Sequence, residues 1–178
     1  MKILVTGVAG LLGSRLADWI LENTDNEVIG VDDLSGGYIE NINSKVKFYK
    51  FDLVDLNEVE GLFKNEKPDI VYHFAAYAAE GLSPFIRKYN YENNLIASAN
   101  LITKSIQYDV KRFVFASSMS VYGDKYIPPF SEELQQFPID SYGIAKFSVE
   151  QDLKVAYEQH GLKYTIVRPH NFYGVNQN

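Results

Sequence analysis

Short apolar runs alternate along this chain with longer segments in which apolar residues recur with the period of a helix. The short runs are rich in Val, Ile and Phe, which is typical of strands that are covered on both faces. This pattern predicts six strands, over residues 2–6, 27–32, 46–51, 69–74, 111–117 and 163–167.

Four helices are predicted between the strands, over residues 11–21, 56–64, 84–108 and 141–160. The last of them has Ser141 as its predicted N-cap and Gly161 just after its C-terminus. Alternating strands and helices are typical of a parallel sheet with helices on both faces. We therefore expect an α/β protein with a Rossmann-type doubly wound sheet. The stretch 125–140 contains three prolines and is predicted to be a functional loop, because it is too long for a simple connection.

Composition narrows the range of functions. With 178 residues the chain fits one domain, and its net charge of −6 argues against general nucleic-acid binding. The absence of cysteine excludes disulfides, thiolate metal ligands and a cysteine nucleophile, and it suits a cytoplasmic location. No apolar run approaches the roughly 18 residues that a membrane span requires. We therefore expect no nucleic-acid partner, no membrane contact and no metal site.

A glycine-rich turn follows the first predicted strand and precedes the first predicted helix. Gly7, Gly10 and Gly13 are spaced three apart, which lets the backbone approach a pyrophosphate at a helix N-terminus. Tight packing of the turn is the alternative explanation of these glycines. The position of the turn, between a strand and a helix, favours dinucleotide binding.

Carboxylates follow the second and third predicted strands. Asp32 comes 22 residues after Gly10 and is followed by Asp33. A carboxylate at this place accepts hydrogen bonds from the adenosine ribose, and no Lys or Arg in residues 32–38 is available to bind a 2′-phosphate. The alternative for this pair is a solvated turn. Asp52 is expected near the adenine amino group or as a cap of the next segment. The predicted cofactor is NAD.

Serines, a tyrosine and a lysine form a third candidate group. The fifth predicted strand ends at Ser117, and Ser118 and Ser120 follow it, at the end of the strand where ligands bind in open α/β sheets. Tyr142 and Lys146 are four residues apart and share one face of a helix. We expect the ammonium to lower the pKa of the Tyr142 phenol from about 10, making it a general base for a sugar or alcohol hydroxyl. Such a pair also arises by chance, so the prediction depends on its combination with the other motifs.

Taken together, these motifs resemble the extended short-chain dehydrogenase/reductases, and among them the nucleotide-sugar epimerases of the UDP-glucose 4-epimerase type. The resemblance spans the whole chain and is more specific for the family than for the reaction. It is carried by Thr6 to Gly13, Val31 to Ser35, His73 to Ala76, Asn93-Asn94, Ser117 to Gly123, Tyr142 to Lys146 and Arg168 to Gly174.

The resemblance implies a role for each of these groups. Tyr142 is the base, Ser118 positions the substrate, and Lys146 lowers the Tyr142 pKa and holds the nicotinamide ribose. The implied reaction oxidises the sugar C4 hydroxyl and returns hydride to the other face of the 4-keto sugar, so NAD is recycled. Ser118, Ser120 and Asn171 are expected to contact the sugar nucleotide. The residues expected to contact NAD are Gly7, Gly10, Leu11, Leu12, Gly13, Asp32, Asp33, Leu34, Ser35, Asp52, Leu53, Phe74, Ala75, Ala76, Asn93, Lys146 and His170.

The resemblance also ranks the possible reactions. Family dehydratases carry Asp-Glu where this chain has Met119-Ser120, and decarboxylases usually carry Glu at the second position. Reductases that epimerise twice commonly use a cysteine, which this chain lacks. A simple 4-epimerase is therefore favoured. Another reductase or dehydrogenase of the family and a dinucleotide-binding module without turnover stay as alternatives.

Two further expectations concern the extent of the chain and its partners. Family members continue for well over a hundred residues beyond the matching segment. We therefore expect residues 1–178 to be an NAD-binding domain without the C-terminal substrate domain, and to turn over sugars weakly or not at all alone. The resemblance implies a homodimer formed through the helices at 84–108 and 141–160.

Overall fold

The computed structural model describes residues 1–175 and 177, so residues 176 and 178 of the predicted domain lie outside the described residues. The described strands are β1 (Lys2–Thr6), β2 (Glu27–Asp32), β3 (Lys47–Lys50), β4 (Ile70–His73), β5 (Arg112–Ala116) and β6 (Tyr164–Val167). The helices are α1 (Leu11–Asn23), α2 (Leu56–Glu66), α3 (Arg87–Tyr91), α4 (Ala97–Gln107) and α5 (Ser141–His160). Short 3₁₀ turns lie at Ile39–Asn41, Glu80–Leu82 and Met119–Tyr122, and a π turn lies at Glu92–Ile96.

The six strands form one parallel sheet in the order β3-β2-β1-β4-β5-β6. The chain proceeds outward from β1 to β3, returns to β4 on the other side of β1, and continues outward to β6. The strand order thus reverses between β1 and β4, and open α/β sheets bind ligands at the carboxyl ends of the strands at such a point. The predicted Rossmann-type doubly wound sheet is confirmed.

Helices cover both faces of this sheet. Successive residues of β1 point to opposite faces, so Leu4 joins one core while Ile3 and Val5 join the other. This two-sided burial explains why the strands read as continuous apolar runs. Helix α1 covers one face, and α2, α4 and α5 cover the other. In the part of the chain that the structure describes, no helix has the length and hydropathy needed to cross a membrane.

The predicted strands all occur, and each predicted end lies within one residue of the observed end. The predicted helix over residues 84–108 is wrong as a single helix, because α3 begins at Arg87 and a π turn separates it from α4. Within the π turn, the Asn94 amide bonds to both backbone groups of Tyr77, with Tyr77 N to Oδ1 at 3.0 Å and Nδ2 to Tyr77 O at 3.1 Å. These bonds fix the segment after β4 against the helix.

The N-terminus of α5 corrects a second prediction. The N-cap is Asp140 and not Ser141, since Asp140 Oδ1 accepts the N–H groups of Tyr142 at 2.8 Å and Gly143 at 2.9 Å. Ser141 is the first helical residue and is buried. A carboxylate at this position also carries a charge that the helix dipole stabilises. The predicted end is confirmed, because Gly161 ends α5 with φ +74°.

A buried carboxylate joins α5 to the carboxyl ends of β5 and β6. Glu150 of α5 is fully buried, and its Oε1 accepts the Ser117 hydroxyl at 2.5 Å. Arg168 donates through Nε to Oε1 at 2.9 Å and through Nη2 to Oε2 at 2.7 Å. Arg168 Nη1 also donates to the Tyr122 hydroxyl at 2.9 Å. Helix α5 is therefore held at one position relative to the residues that follow β5.

We predict that Arg168→Met lowers the free energy of unfolding by about 3–5 kcal/mol, because it leaves the Glu150 carboxylate buried without its cation. Urea denaturation of the wild-type chain and the variant measures the difference. Arg15→Met is the matched control, since Arg15 is exposed on α1. Equal losses in the two variants would contradict the role given to the buried pair.

Candidate active site

The glycine turn contains glycines of two kinds. A Cβ atom on Gly7, whose φ is +69°, would lie 2.7 Å from Ala75 N, and one on Gly13 would lie 2.1 Å from Gly7 O. Packing of the turn therefore requires these two glycines. A Cβ on Gly10 would meet only Gly7 O, at 3.4 Å. Since the described residues leave room at Gly10, the glycine there suits the close approach of a ligand.

Gly10 is also the N-cap of α1, and as a glycine it has no side chain to cap the first N–H groups of that helix. Backbone N–H groups at such a terminus, together with the positive end of the helix dipole, bind phosphate groups. The start of α1, at Leu11, Leu12 and Gly13, thus fits the pyrophosphate of a dinucleotide.

A groove of about 200 Å³ lies at the carboxyl ends of β1, β2, β3 and β4. Ten of the predicted cofactor contacts line it: Gly7, Asp32, Asp33, Ser35, Asp52, Leu53, Phe74, Ala75, Ala76 and Asn93. The lining residues that the sequence prediction omitted are Val31, Gly36, Gly37, Phe51, Tyr77, Tyr89 and Ala97. Among these seven residues, only Gly36 and Gly37 could be linked to the site from the sequence, because they belong to the turn that follows Asp33. The other five look like ordinary core or helix residues in the sequence.

The acidic end of β2 is ordered by backbone hydrogen bonds. Asp32 Oδ2 accepts Ala9 N at 3.0 Å, and Oδ1 accepts Leu34 N at 2.8 Å, while Leu34 takes a φ of +64°. Burial raises the pKa of Asp32, and these two bonds oppose the rise. Asp33 Oδ1 accepts the Ser35 N–H at 2.8 Å and its hydroxyl at 2.6 Å. Asp32 keeps free lone pairs toward the groove, so it fits a ribose diol.

A buried histidine links this groove to the helices behind it. Thr6 Oγ1 accepts Ala75 N at 3.2 Å and lies 2.7 Å from His73 Nδ1, while His73 Nε2 lies 2.9 Å from Ser98 Oγ. Since the Ser98 hydroxyl donates to Asn94 O at 2.8 Å, Nε2 carries the imidazole proton and Nδ1 accepts from Thr6. Burial lowers the pKa of His73 to about 3. The histidine is a neutral structural group.

Ser118, Tyr142 and Lys146 meet at the carboxyl end of β5. The Ser118 hydroxyl lies near enough to the Tyr142 phenol to lower its pKa, and it accepts Ser120 N at 3.1 Å. Lys146 Nζ donates to Ala116 O at 2.8 Å and lies 5.7 Å from the centroid of the Tyr142 ring. Tyr142 and Lys146 are both buried. The structure therefore brings the three predicted residues together.

The predicted direction of the Tyr142 pKa is wrong in this structure. Burial raises the pKa of the phenol to about 12, and the carboxylates of Glu80 and Asp140 add to the rise, while the Ser118 hydrogen bond opposes it. Lys146 does not offset burial, because its ammonium points to the Ala116 carbonyl and its own pKa is lowered by burial to about 7. A cation placed beside the phenol is needed to make it a base near neutral pH.

Four of the predicted site residues lie outside the groove. Ser120 is buried beside the N-terminus of α5, and its hydroxyl has no hydrogen-bond partner among residues 1–175 and 177. Asn171 is exposed. His170 stacks on Phe130 with the ring centroids 5.9 Å apart and lines a second cavity with Arg168, so it does not reach the groove. Lys146 also lies outside the groove lining, beside Tyr142.

The comparisons with known proteins agree with this geometry. Residues 3–178 match the model of the "NAD dependent epimerase/dehydratase family", and the chain belongs to that family. Two solved structures align with the whole of this chain, and the aligned part is 58% of the length of each of those proteins. The UDP-glucose 4-epimerase of Thermotoga maritima, solved with UDP-glucose, is 40% identical with a TM-score of 0.96. The UDP-glucose 4-epimerase of Thermus thermophilus, solved with NAD, is 34% identical with a TM-score of 0.94.

A curated relative shows how much of such a protein this chain represents. The UDP-glucose 4-epimerase of Halalkalibacterium halodurans is 35% identical over 178 residues, which are 100% of this chain and 53% of the relative. The chain therefore spans about half the length of the curated relatives that it matches.

We predict that stability rises between pH 7 and pH 9 through Lys146. Its pKa is about 7 in the folded chain and about 10.5 in the unfolded chain, so the unfolded state binds more protons in this window. The expected rise in the free energy of unfolding is about 2 kcal/mol. Chemical denaturation at the two pH values measures it. Lys146→Met should abolish this rise, whereas Lys45→Met, which changes an exposed lysine, should keep it. If the free energy of unfolding depends on pH equally in both variants, the prediction is wrong and Lys146 is charged in the folded chain.

Proposed function

We propose that this chain is the NAD-binding part of an enzyme that epimerises a nucleotide sugar, a UDP-hexose at C4, through a transient 4-keto sugar. The observation that carries the proposal is the meeting of Tyr142 with Ser118 and Lys146 at the end of β5. The dinucleotide groove lies at the same carboxyl edge of the sheet and spans the strand-order reversal between β1 and β4. Related proteins that carry the name UDP-glucose 4-epimerase support this choice of substrate.

The protein's own residues supply proton transfer and positioning. Tyr142 accepts the proton of the sugar C4 hydroxyl and later returns it, and Ser118 hydrogen-bonds to the same oxygen. Lys146, held by Ala116 O, has further donor hydrogens for the nicotinamide ribose. NAD, when bound, accepts hydride from the sugar and returns it. Lys146 alone does not lower the Tyr142 pKa, and the positive charge of an oxidised nicotinamide would do so if it were held near the phenol.

The cofactor part of the proposal follows from the groove. Asp32 binds the adenosine ribose, Gly10 and the start of α1 bind the pyrophosphate, and Asp52 lies at the adenine end. The acidic pair Asp32-Asp33 disfavours a 2′-phosphate, so NAD is bound in preference to NADP. We propose that residues 1–178 bind NAD as one domain and turn over sugars weakly or not at all by themselves.

A homodimer and a cytoplasmic location complete the proposal. The predicted dimer surface, on residues 84–108 and 141–160, exposes large apolar side chains, among them Phe85, Ile96 and Ile144. Phe85 is 84% exposed. Exposed apolar groups on adjacent helices favour contact with a second copy. The absence of cysteine is compatible with a reducing compartment.

We predict that Gly10→Ala weakens NAD binding at least about tenfold, because its methyl group occupies the pyrophosphate position. The fold should be unchanged, since Gly10 has φ −85° and ψ 174° and its Cβ would meet only Gly7 O at 3.4 Å. Titration calorimetry with NAD measures the affinity, and urea denaturation checks stability. Gly61→Ala is the matched control, because a Cβ there meets nothing within 4 Å. Wild-type affinity in Gly10→Ala would reject the phosphate site.

We predict that Tyr142→Phe lowers the rate of UDP-galactose conversion to UDP-glucose at least about 100-fold, because the phenol is the general base. The assay uses the longest natural polypeptide that carries this chain and follows both sugars by proton NMR. NAD affinity should stay within about twofold, since the phenol has no part in the groove lining. Tyr157→Phe, which changes an exposed tyrosine of α5, is the control and should keep wild-type activity. Full activity in Tyr142→Phe would refute the proposed base.

A further inference from the structure

The groove lies between two segments of the chain. One is the loop that follows β2, with Asp33, Ser35 and Gly37, and the other runs from Phe74 after β4 into α4. A ligand in the groove must enter and leave between these two segments. A side chain that joins them across the groove would therefore act on its release.

Tyr89 is placed to join them. It belongs to α3 in the second segment and lines the same groove as Ser35 of the first segment, with its phenol near the Ser35 hydroxyl. The carboxylates of Asp33 and Asp52 lie close enough to raise the pKa of this phenol, an effect that adds to burial. Tyr89 is 42% exposed, so it stands at the mouth of the groove and not in its floor.

The surroundings of Tyr89 hold it in this position. Its ring packs edge-on against Tyr77, with the centroids 5.0 Å apart and an interplanar angle of 80°. Its carbonyl accepts Asn93 Nδ2 at 2.9 Å. Tyr77 and Asn93 both line the groove themselves. On the other side, Ser35 is fixed by two hydrogen bonds to Asp33 Oδ1. Both ends of the bridge are thus anchored.

We propose that Tyr89 is a cofactor-retaining residue, which bridges the two segments at Ser35 and slows release of the adenosine half of a bound dinucleotide. The inference rests on the proposed binding of NAD. An enzyme that returns hydride to its own substrate gains from slow release, because a cofactor lost in the reduced form leaves the sugar oxidised. Tyr89 and Ser35 line the groove from opposite segments, so we expect the bridge to act on dissociation more than on association.

The test is the dissociation rate of NADH from the 178-residue chain. The chain is loaded with NADH and mixed rapidly with excess NAD, and the fall of NADH fluorescence gives the rate. Tyr89→Phe and Ser35→Ala each remove one end of the polar contact, so we expect dissociation about 3- to 10-fold faster in each. Tyr89→Ala also removes the ring and should be faster still. Tyr157→Phe is the control and should match the wild type.

A double variant separates the bridge from unrelated effects. If the two groups act on each other, Tyr89→Phe in the Ser35→Ala background should change the rate by less than about twofold. Additive effects, or unchanged dissociation in Tyr89→Ala, would overturn the inference while leaving NAD binding intact. Absence of saturable NADH and NAD binding by the wild type would instead overturn the proposed function, and this inference with it.

Discussion

The candidate site depends on one buried ionic contact, that of Glu150 with Arg168 and Ser117. Ser117 directly precedes Ser118, and Glu150 lies two helical turns after Tyr142 on α5. Because the carboxylate is fully buried, it needs all of its partners, and the strands and the helix are forced into the one arrangement that supplies them. The same contact reaches Tyr122 through Arg168, which fixes the turn that carries Ser120. Proton transfer between a serine, a phenol and a sugar demands this degree of fixed geometry.

A second polar chain connects the cofactor groove with the start of α5. It runs from Ala75 through Thr6, His73 and Ser98 to Asn94, and the Asn94 amide then donates to Asn90 Oδ1 at 2.9 Å. Asn90 Nδ2 donates to Ser141 O at 2.8 Å, beside Tyr142. Its side-chain members have exposures of 1% or less. The groove and helix α5 are therefore joined by direct hydrogen bonds between buried side chains.

Much of this could be predicted from the chain, for reasons that differ from residue to residue. The strands could be predicted because residues buried on both faces leave an unbroken apolar run, as from Ile3 to Val5. Gly10, Asp32 and Tyr142 could be predicted as site residues because their chemistry has a fixed place relative to a strand or helix end. Tyr89 was not predicted, because the role proposed for it depends on its closeness to Ser35, 54 residues earlier, and nothing local indicates this. The Tyr142 pKa was misjudged because spacing along a helix does not reveal burial or where the Lys146 ammonium points.

The π turn at Glu92–Ile96 has a consequence for how the site is oriented. A π turn holds more residues per turn than an α-helix, and each additional residue rotates the rest of the helix by about 100° about its axis. In the helical stretch that contains this turn, Asn93 and Ala97 face the groove while Asn94 and Ser98 face inward to Tyr77 and His73. The members of each pair are four residues apart, so each pair shares one side of the helix. One helical stretch thus serves as both the wall of the cofactor groove and its internal support.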